Sequence, residues 1–150
     1  MAKTYVELDK ADNRYCFLDV GGQQSFKQLW PQGFKSSSST IFVTHADDLT
    51  DDDDVEESVS MLKESLEYDD FDRPLLVVVN RKSSSESAGC KKMINDLKEV
   101  TKDLKCAQIM CYNMLHEHTD VTAQFKSFAK QAERYLKLSK KKKVWFKLFF

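Results

Sequence analysis

Apolar positions along the chain fall into short solid runs and longer spaced stripes, which predict strands and helices in alternation. Residues 75–79 are Leu, Leu, Val, Val and Val, opened by Pro74 and closed by Asn80. An unbroken β-branched run of this length predicts a strand buried on both faces, as in the middle of a parallel sheet. Residues 40–44 and 107–112 are shorter runs of the same kind. Residues 4–8 alternate weakly, and residues 15–18 follow across the turn-prone stretch 9–13, so these two predict an antiparallel pair. Between the strands, Val55, Val59, Leu62 and Leu66 recur with helical spacing. So do Cys90, Ile94, Leu97, Thr101 and Leu104, and again Val121, Phe125, Phe128, Ala132, Tyr135 and Leu136. Each series is one apolar face of a helix. The acidic residues 51–54 sit where carboxylates cap a helix and favour its dipole. Thr119 or Asp120 is the expected cap of the last helix. The segment after Gln23 reads as polar and turn-prone.

Strands alternating with helices predict an α/β fold in three layers, with a mostly parallel sheet and an antiparallel edge strand. At 150 residues and 41% hydrophobic content the chain can bury a sizeable core. The net charge of −1 argues against non-specific binding of nucleic acid. Cys16, Cys90, Cys106 and Cys111 show no C-x-x-C spacing and read as reduced, buried thiols of an intracellular protein. The first residues lack a secretory apolar region, Ala2 stands where myristoylation needs glycine, and no apolar run reaches the ~20 residues of a membrane span.

The run Asp19, Val20, Gly21, Gly22, Gln23 is the most specific motif. Ser25, Phe26, Lys27, Gln28, Leu29, Trp30 and then Phe34 follow it, and the strand at 40–43 comes next. Over residues 4–138 this resembles the ADP-ribosylation-factor (Arf) family of small GTPases, whose D-V-G-G-Q motif and Leu-Trp pair belong to switch II. The resemblance implies that Asp19 supports a magnesium shell, that the Gly22 amide senses a γ-phosphate, and that Gln23 positions the attacking water. It also implies that Asn80, Arg81, Lys82 and Ser83 take the place of the N-K-x-D guanine motif. Asn80 and Lys82 are therefore candidate nucleotide-binding residues.

Other residues depart from the family. Ser83 stands where the family has a guanine-binding Asp, and a neutral hydroxyl cannot accept two hydrogen bonds as a carboxylate does. The loss costs roughly 1.5–3 kcal/mol. Met114 and Leu115 are bulky where the base pocket is lined by small residues. None of the four glycines is followed by Lys-Ser or Lys-Thr, so these residues contain no phosphate loop. The motif at residue 19 also leaves no room before it for the family's first strand, phosphate loop and switch I. Phosphoryl transfer depends almost wholly on positioning and charge, so Asp19, Gly22, Gln23, Asn80 and Lys82 read as vestigial. No catalytic residue and no cofactor is expected. The alternative is GTP or GDP with magnesium, in a GTPase of membrane trafficking whose phosphate loop lies upstream.

Two weaker constellations read as structural. His116, Glu117 and His118 are expected in a loop with no further ligand, and His45, Asp47 and Asp48 follow a strand end. No metal site is expected. Lys140, Lys141, Lys142 and Lys143 precede Val144, Trp145, Phe146, Lys147, Leu148, Phe149 and Phe150. A basic and aromatic run suits an anionic membrane surface or a partner. The sequence therefore divides into a small-GTPase-like remnant, residues 1–138, and a docking tail, residues 139–150.

The expected protein is an Arf-like pseudo-GTPase, a protein-interaction or structural subunit, cytoplasmic or membrane-associated. Phe26, Leu29, Trp30 and Phe34 are its expected interaction surface. A missing central first strand would leave two strand edges and a core gap to be covered, which predicts an obligate complex.

Overall fold

A computed structural model describes residues 2–7, 14–22, 24–47, 50–68, 72–82, 87–113, 118–138 and 145–149; for 2–7, 14–16, 24, 118–120 and 145–149 it describes backbone alone. The strands are β1 (Ala2–Glu7), β2 (Arg14–Val20), β3 (Ser39–Ala46), β4 (Leu75–Arg81), β5 (Ala107–Tyr112) and β6 (Trp145–Phe149). The helices are α1 (Trp30–Ser36), α2 (Asp52–Glu67), α3 (Ala88–Thr101) and α4 (His118–Leu138), with a 3-10 helix at Gln24–Leu29. One six-stranded sheet has the order β1-β2-β6-β3-β4-β5. Among the described residues, only β1 and β2 pair antiparallel; the other pairs are parallel.

Alternation along β4 explains the three layers. Leu75, Val77 and Val79 point to one face, where they pack with Trp30, Phe34, Val55, Val59, Leu62, Met93 and Leu97 of α1, α2 and α3. Leu76 and Val78 point to the other, where they meet Phe17, Ile41, Met110, Phe128, Ala129 and Ala132, so that α4 covers that face. The five residues 75–79 are all buried, as their unbroken apolarity requires.

Helix starts follow local chemistry. Asp51 caps α2: its carboxylate accepts from the Asp54 amide at 3.0 Å, while the Asp54 carboxylate accepts from the Asp51 amide at 3.3 Å. This reciprocal box satisfies two amides that the helix leaves unpaired. The acidic run is thus a helix start, as its position implied. Ser87 caps α3 through the Cys90 amide at 3.1 Å.

The structure corrects four expectations. Residues 24–36 are helical rather than a polar turn; Pro31 fits the first turn of α1, where its missing amide costs nothing. Helix α4 begins at His118, so Thr119 and Asp120 lie in its first turn and His118 is not in a loop. Helix α3 ends at Thr101, and Leu104 packs on the core from beyond it.

The fourth correction concerns the C-terminus. Trp145 and Phe146 are not in a detached tail: β6 runs between β2 and β3, parallel to both. The physical reason is backbone pairing. Strands β2 and β3 are not neighbours, and β6 supplies the ladder groups that each would otherwise expose. The central place that the family resemblance gives to a first strand is filled from the other end of the chain. The open edges behind the expectation of an obligate complex are therefore paired. Helix α4 covers the sheet on the face opposite α1, α2 and α3. It packs on Met110 of β5 and also on Phe17 and Ile41, with the Phe17 and Phe125 rings 5.9 Å apart.

Candidate functional site

In parallel α/β sheets the carboxyl ends of the strands carry the binding site. Here that edge collects the ends of β2, β3, β4 and β5 and brings together most of the family-like motifs. Asp19 is exposed at the end of β2, and Gly21 and Gly22 follow, half-buried. Gln23 lies outside the described residues.

Trp30 fixes this loop. It is fully buried, and its indole N–H donates to the Gly21 carbonyl at 3.2 Å. A buried indole needs such an acceptor. The Phe26 ring lies over Gly21: a Cβ built there would stand 2.8 Å from the Phe26 Cδ2. The loop and the ring therefore meet at a distance that suits glycine.

The expected interaction surface is split by burial. Trp30 and Phe34 are both 0% exposed and belong to the core. Phe34 stacks on Tyr68 at 5.8 Å, and the Arg73 guanidinium lies 5.8 Å from its ring while donating to the Phe34 and Ser37 carbonyls. The apolar positions of this segment face α2 and β4 because the 3-10 and α-helical turns roll them inward. Leu29 is partly buried against the same core. Phe26 alone of the four is prominent, at 43% exposure. A cavity of about 210 Å³ opens between Gly22, Trp30, Thr44, His45, Glu57 and Met61; Phe26 reaches its neighbourhood through Gly21, next to Gly22 in the chain.

The guanine-motif side of the edge is cross-tied. Lys82 Nζ pairs with the Asp47 carboxylate at 3.0 Å. The Asp47 amide donates to Thr50 Oγ1 at 2.7 Å, and Ser87 Oγ donates to the Asp47 carbonyl at 3.1 Å. Asn113 Nδ2 donates to the Lys82 carbonyl at 2.9 Å. Asp47 thus joins the ends of β3 and β4 to the start of α3, and Asn113 adds the end of β5. The ion pair is exposed on the Lys82 side and contributes at most about 1 kcal/mol; its role is to hold geometry. Sequence reasoning singled out Asp47 only beside His45 and Asp48, as a structural group at a strand end, and gave Asn113 no role, since no motif surrounds it. Asn80 is half-buried at the end of β4, while Ser83, Met114 and Leu115 lie outside the described residues.

His45 is exposed beside the cavity, and His116, Glu117 and Asp48 lie outside the described residues. Among the described residues no three His, Cys, Asp or Glu side chains are grouped to hold a metal. None of the described helices is long and apolar enough to cross a membrane. Lys140, Lys141, Lys142 and Lys143 also lie outside the described residues.

Neither the curated proteins nor the solved structures gave a match to the chain. The profile of the ADP-ribosylation factor family matches residues 3–129, from the antiparallel edge strand into α4, leaving β6 outside the matched region. With that match, the switch II sequence after β2 and a largely parallel sheet carrying the motifs at its carboxyl edge, the chain belongs to the ADP-ribosylation factor family.

Proposed function

We propose that this chain is an Arf-like module that works by binding a protein partner, without hydrolysing GTP. One observation carries the reading most directly: at the edge where the family holds its nucleotide, several of the described polar groups are engaged with each other. Lys82 is tied to Asp47, Asn113 to the Lys82 carbonyl, and the Gly21 carbonyl to Trp30. The sequence agrees, with Ser83 in place of the guanine-reading acid and no glycine followed by Lys-Ser or Lys-Thr. The partner face centres on exposed Phe26 and on the cavity behind Gly22, with partly buried Leu29 on the same segment as Phe26. An aromatic side chain near a partly apolar cavity supplies an anchor and a socket. No resident cofactor is part of this reading, and Asp19, Gly22, Asn80 and Lys82 act structurally.

The test is the nucleotide content of the purified chain, followed by titration with a fluorescent GTP analogue with and without magnesium. The expected result is no bound nucleotide and no saturable, magnesium-dependent signal. Co-purifying GDP or tight magnesium-dependent binding would overturn it.

A second reading has its own support. Phe149 of β6 pairs with Val20 and with Phe42, so the strand ends beside Gly21 and Gly22. In the family the central strand leads at this place into the phosphate loop. These residues would then be part of a working GTPase in membrane trafficking, with the loop outside residues 1–150. An in-frame phosphate-loop segment in the transcript, and magnesium-dependent GTP binding by the longer product, would favour this reading.

A further inference from the structure

Cys90 and Cys111 bring two sulfurs together from different layers. Cys90 is the third residue of α3 and is 1% exposed. Cys111 is the penultimate residue of β5 and is partly exposed. Their Sγ atoms are 3.5 Å apart. A disulfide needs about 2.05 Å, so closure requires an approach of about 1.5 Å, within reach of small rotations of two side chains. The pairing follows from the fold. Cys111 and Ile109 face α3, while Met110 faces α4. The Ser87 cap fixes the first turn of α3, where Cys90 sits.

We propose that Cys90 and Cys111 form an oxidation site, a dithiol that closes to an intramolecular disulfide on exposure to a hydroperoxide. Cys111 reacts first because it is the accessible member. Its thiolate attacks the peroxide: Cys111–SH and ROOH give Cys111–SOH and ROH. Cys90 then displaces water: Cys90–SH and Cys111–SOH give Cys90–S–S–Cys111 and H₂O. The two thiols lose two electrons and the peroxide gains them. Burial protects Cys90 from direct attack while leaving it in place to resolve the sulfenic acid. Cys106 is the internal comparison, a thiol pushed above its usual range by burial and therefore poor in reactive thiolate. The bridge ties the start of α3 to the end of β5, at the same edge where Ser87 holds Asp47 and Asn113 holds Lys82. It is a lock on the loops of that edge.

The experiment treats the reduced full chain with hydrogen peroxide, alkylates what remains, and maps peptides by mass spectrometry. The expected product is one cross-linked species joining the Cys90 and Cys111 peptides, lighter by two hydrogens, found in the monomer and reversed by dithiothreitol. In the unmutated chain, alkylation of the two residues is lost together while Cys106 stays alkylatable. Cys90→Ser leaves Cys111 to over-oxidise to the sulfinic acid. Full alkylation of both cysteines after Cys16 or Cys106 has been oxidised would overturn the proposal. So would sulfinic Cys111 beside intact Cys90 in the unmutated chain, or cross-links formed only between chains.

Discussion

Replacing Lys147 by proline tests whether the C-terminal strand is integral to the sheet. Lys147 is the middle residue of β6 and lies in register with Leu18 of β2 and Thr40 of β3. In a parallel ladder each residue turns both backbone groups toward one neighbour, and successive residues alternate sides. A strand flanked on both sides therefore uses every interior amide. Proline removes one such amide and leaves a carbonyl of β2 or β3 without its donor, at about 1–3 kcal/mol. The ring adds steric cost, since proline is not accommodated in central strands. The expected loss is about 3–5 kcal/mol, a large part of the ~5–15 kcal/mol typical of a folded domain. At about 2–4 °C per kcal/mol for a chain of this size, the melting temperature should fall by roughly 6–20 °C. The control is Lys147→Ala, which keeps the amide and should shift stability by about 1 kcal/mol or less. Thermal melts by circular dichroism give both numbers, and hydrogen exchange reports directly on the amides of residues 145–149. If K147P melts with the wild type, β6 does not hold the sheet together and the placement of the C-terminus is wrong.

Gly89→Ala should cost about 1–3 kcal/mol in chemical denaturation, because the new Cβ would lie 2.4 Å from the backbone carbonyl oxygen of Thr50, which cannot swing aside; an unchanged midpoint would show that the contact relaxes freely. Asp51→Ala removes the side-chain half of the α2 capping box and should cost about 1 kcal/mol, with Asp51→Asn retaining most of the stability. Tyr135 donates to Asp72, and that bond, with burial and the carboxylate's charge, raises its phenol to about 12. The folded phenol holds its proton longer than the unfolded one, so this stabilisation is complete below about pH 10 and is lost as pH rises toward 12. A phenolate absorbance titration should show one late tyrosine that returns to ordinary behaviour in Asp72→Asn, and a Tyr135→Phe variant should lose about 1 kcal/mol or less at neutral pH, since the pair is exposed.

Periodicity and capping are local, so they could be read directly. The five solid apolar residues 75–79 required two covered faces, and β4 has them. The spacing of Val55, Val59 and Leu62 required one helix face against a core, and residues 51–54 marked where it begins. The run from Asp19 to Gln23 with Leu29 and Trp30 was enough to indicate the family. Burial of Trp30 and Phe34 was harder to read. A switch-like segment rich in aromatics reads equally well as a binding face or as a plug, and only the rolled path of residues 24–36 against α2 and β4 turns the two rings inward.

What the sequence by itself determined was strands β1 to β5, helices α2 to α4 and the family. What the tertiary structure decided was pairing between distant parts. Residues 145–149 carry aromatics and a lysine that suit an interface as well as a strand. Their place between β2 and β3 depends on two ladders separated from them by more than a hundred positions. The ties of Asp47, Asn113 and the Cys90–Cys111 contact have the same origin. Each joins residues whose nearness is created by the sheet order. Hydrogen-bonded register between remote strands is a property of the assembled sheet, and no local pattern encodes it.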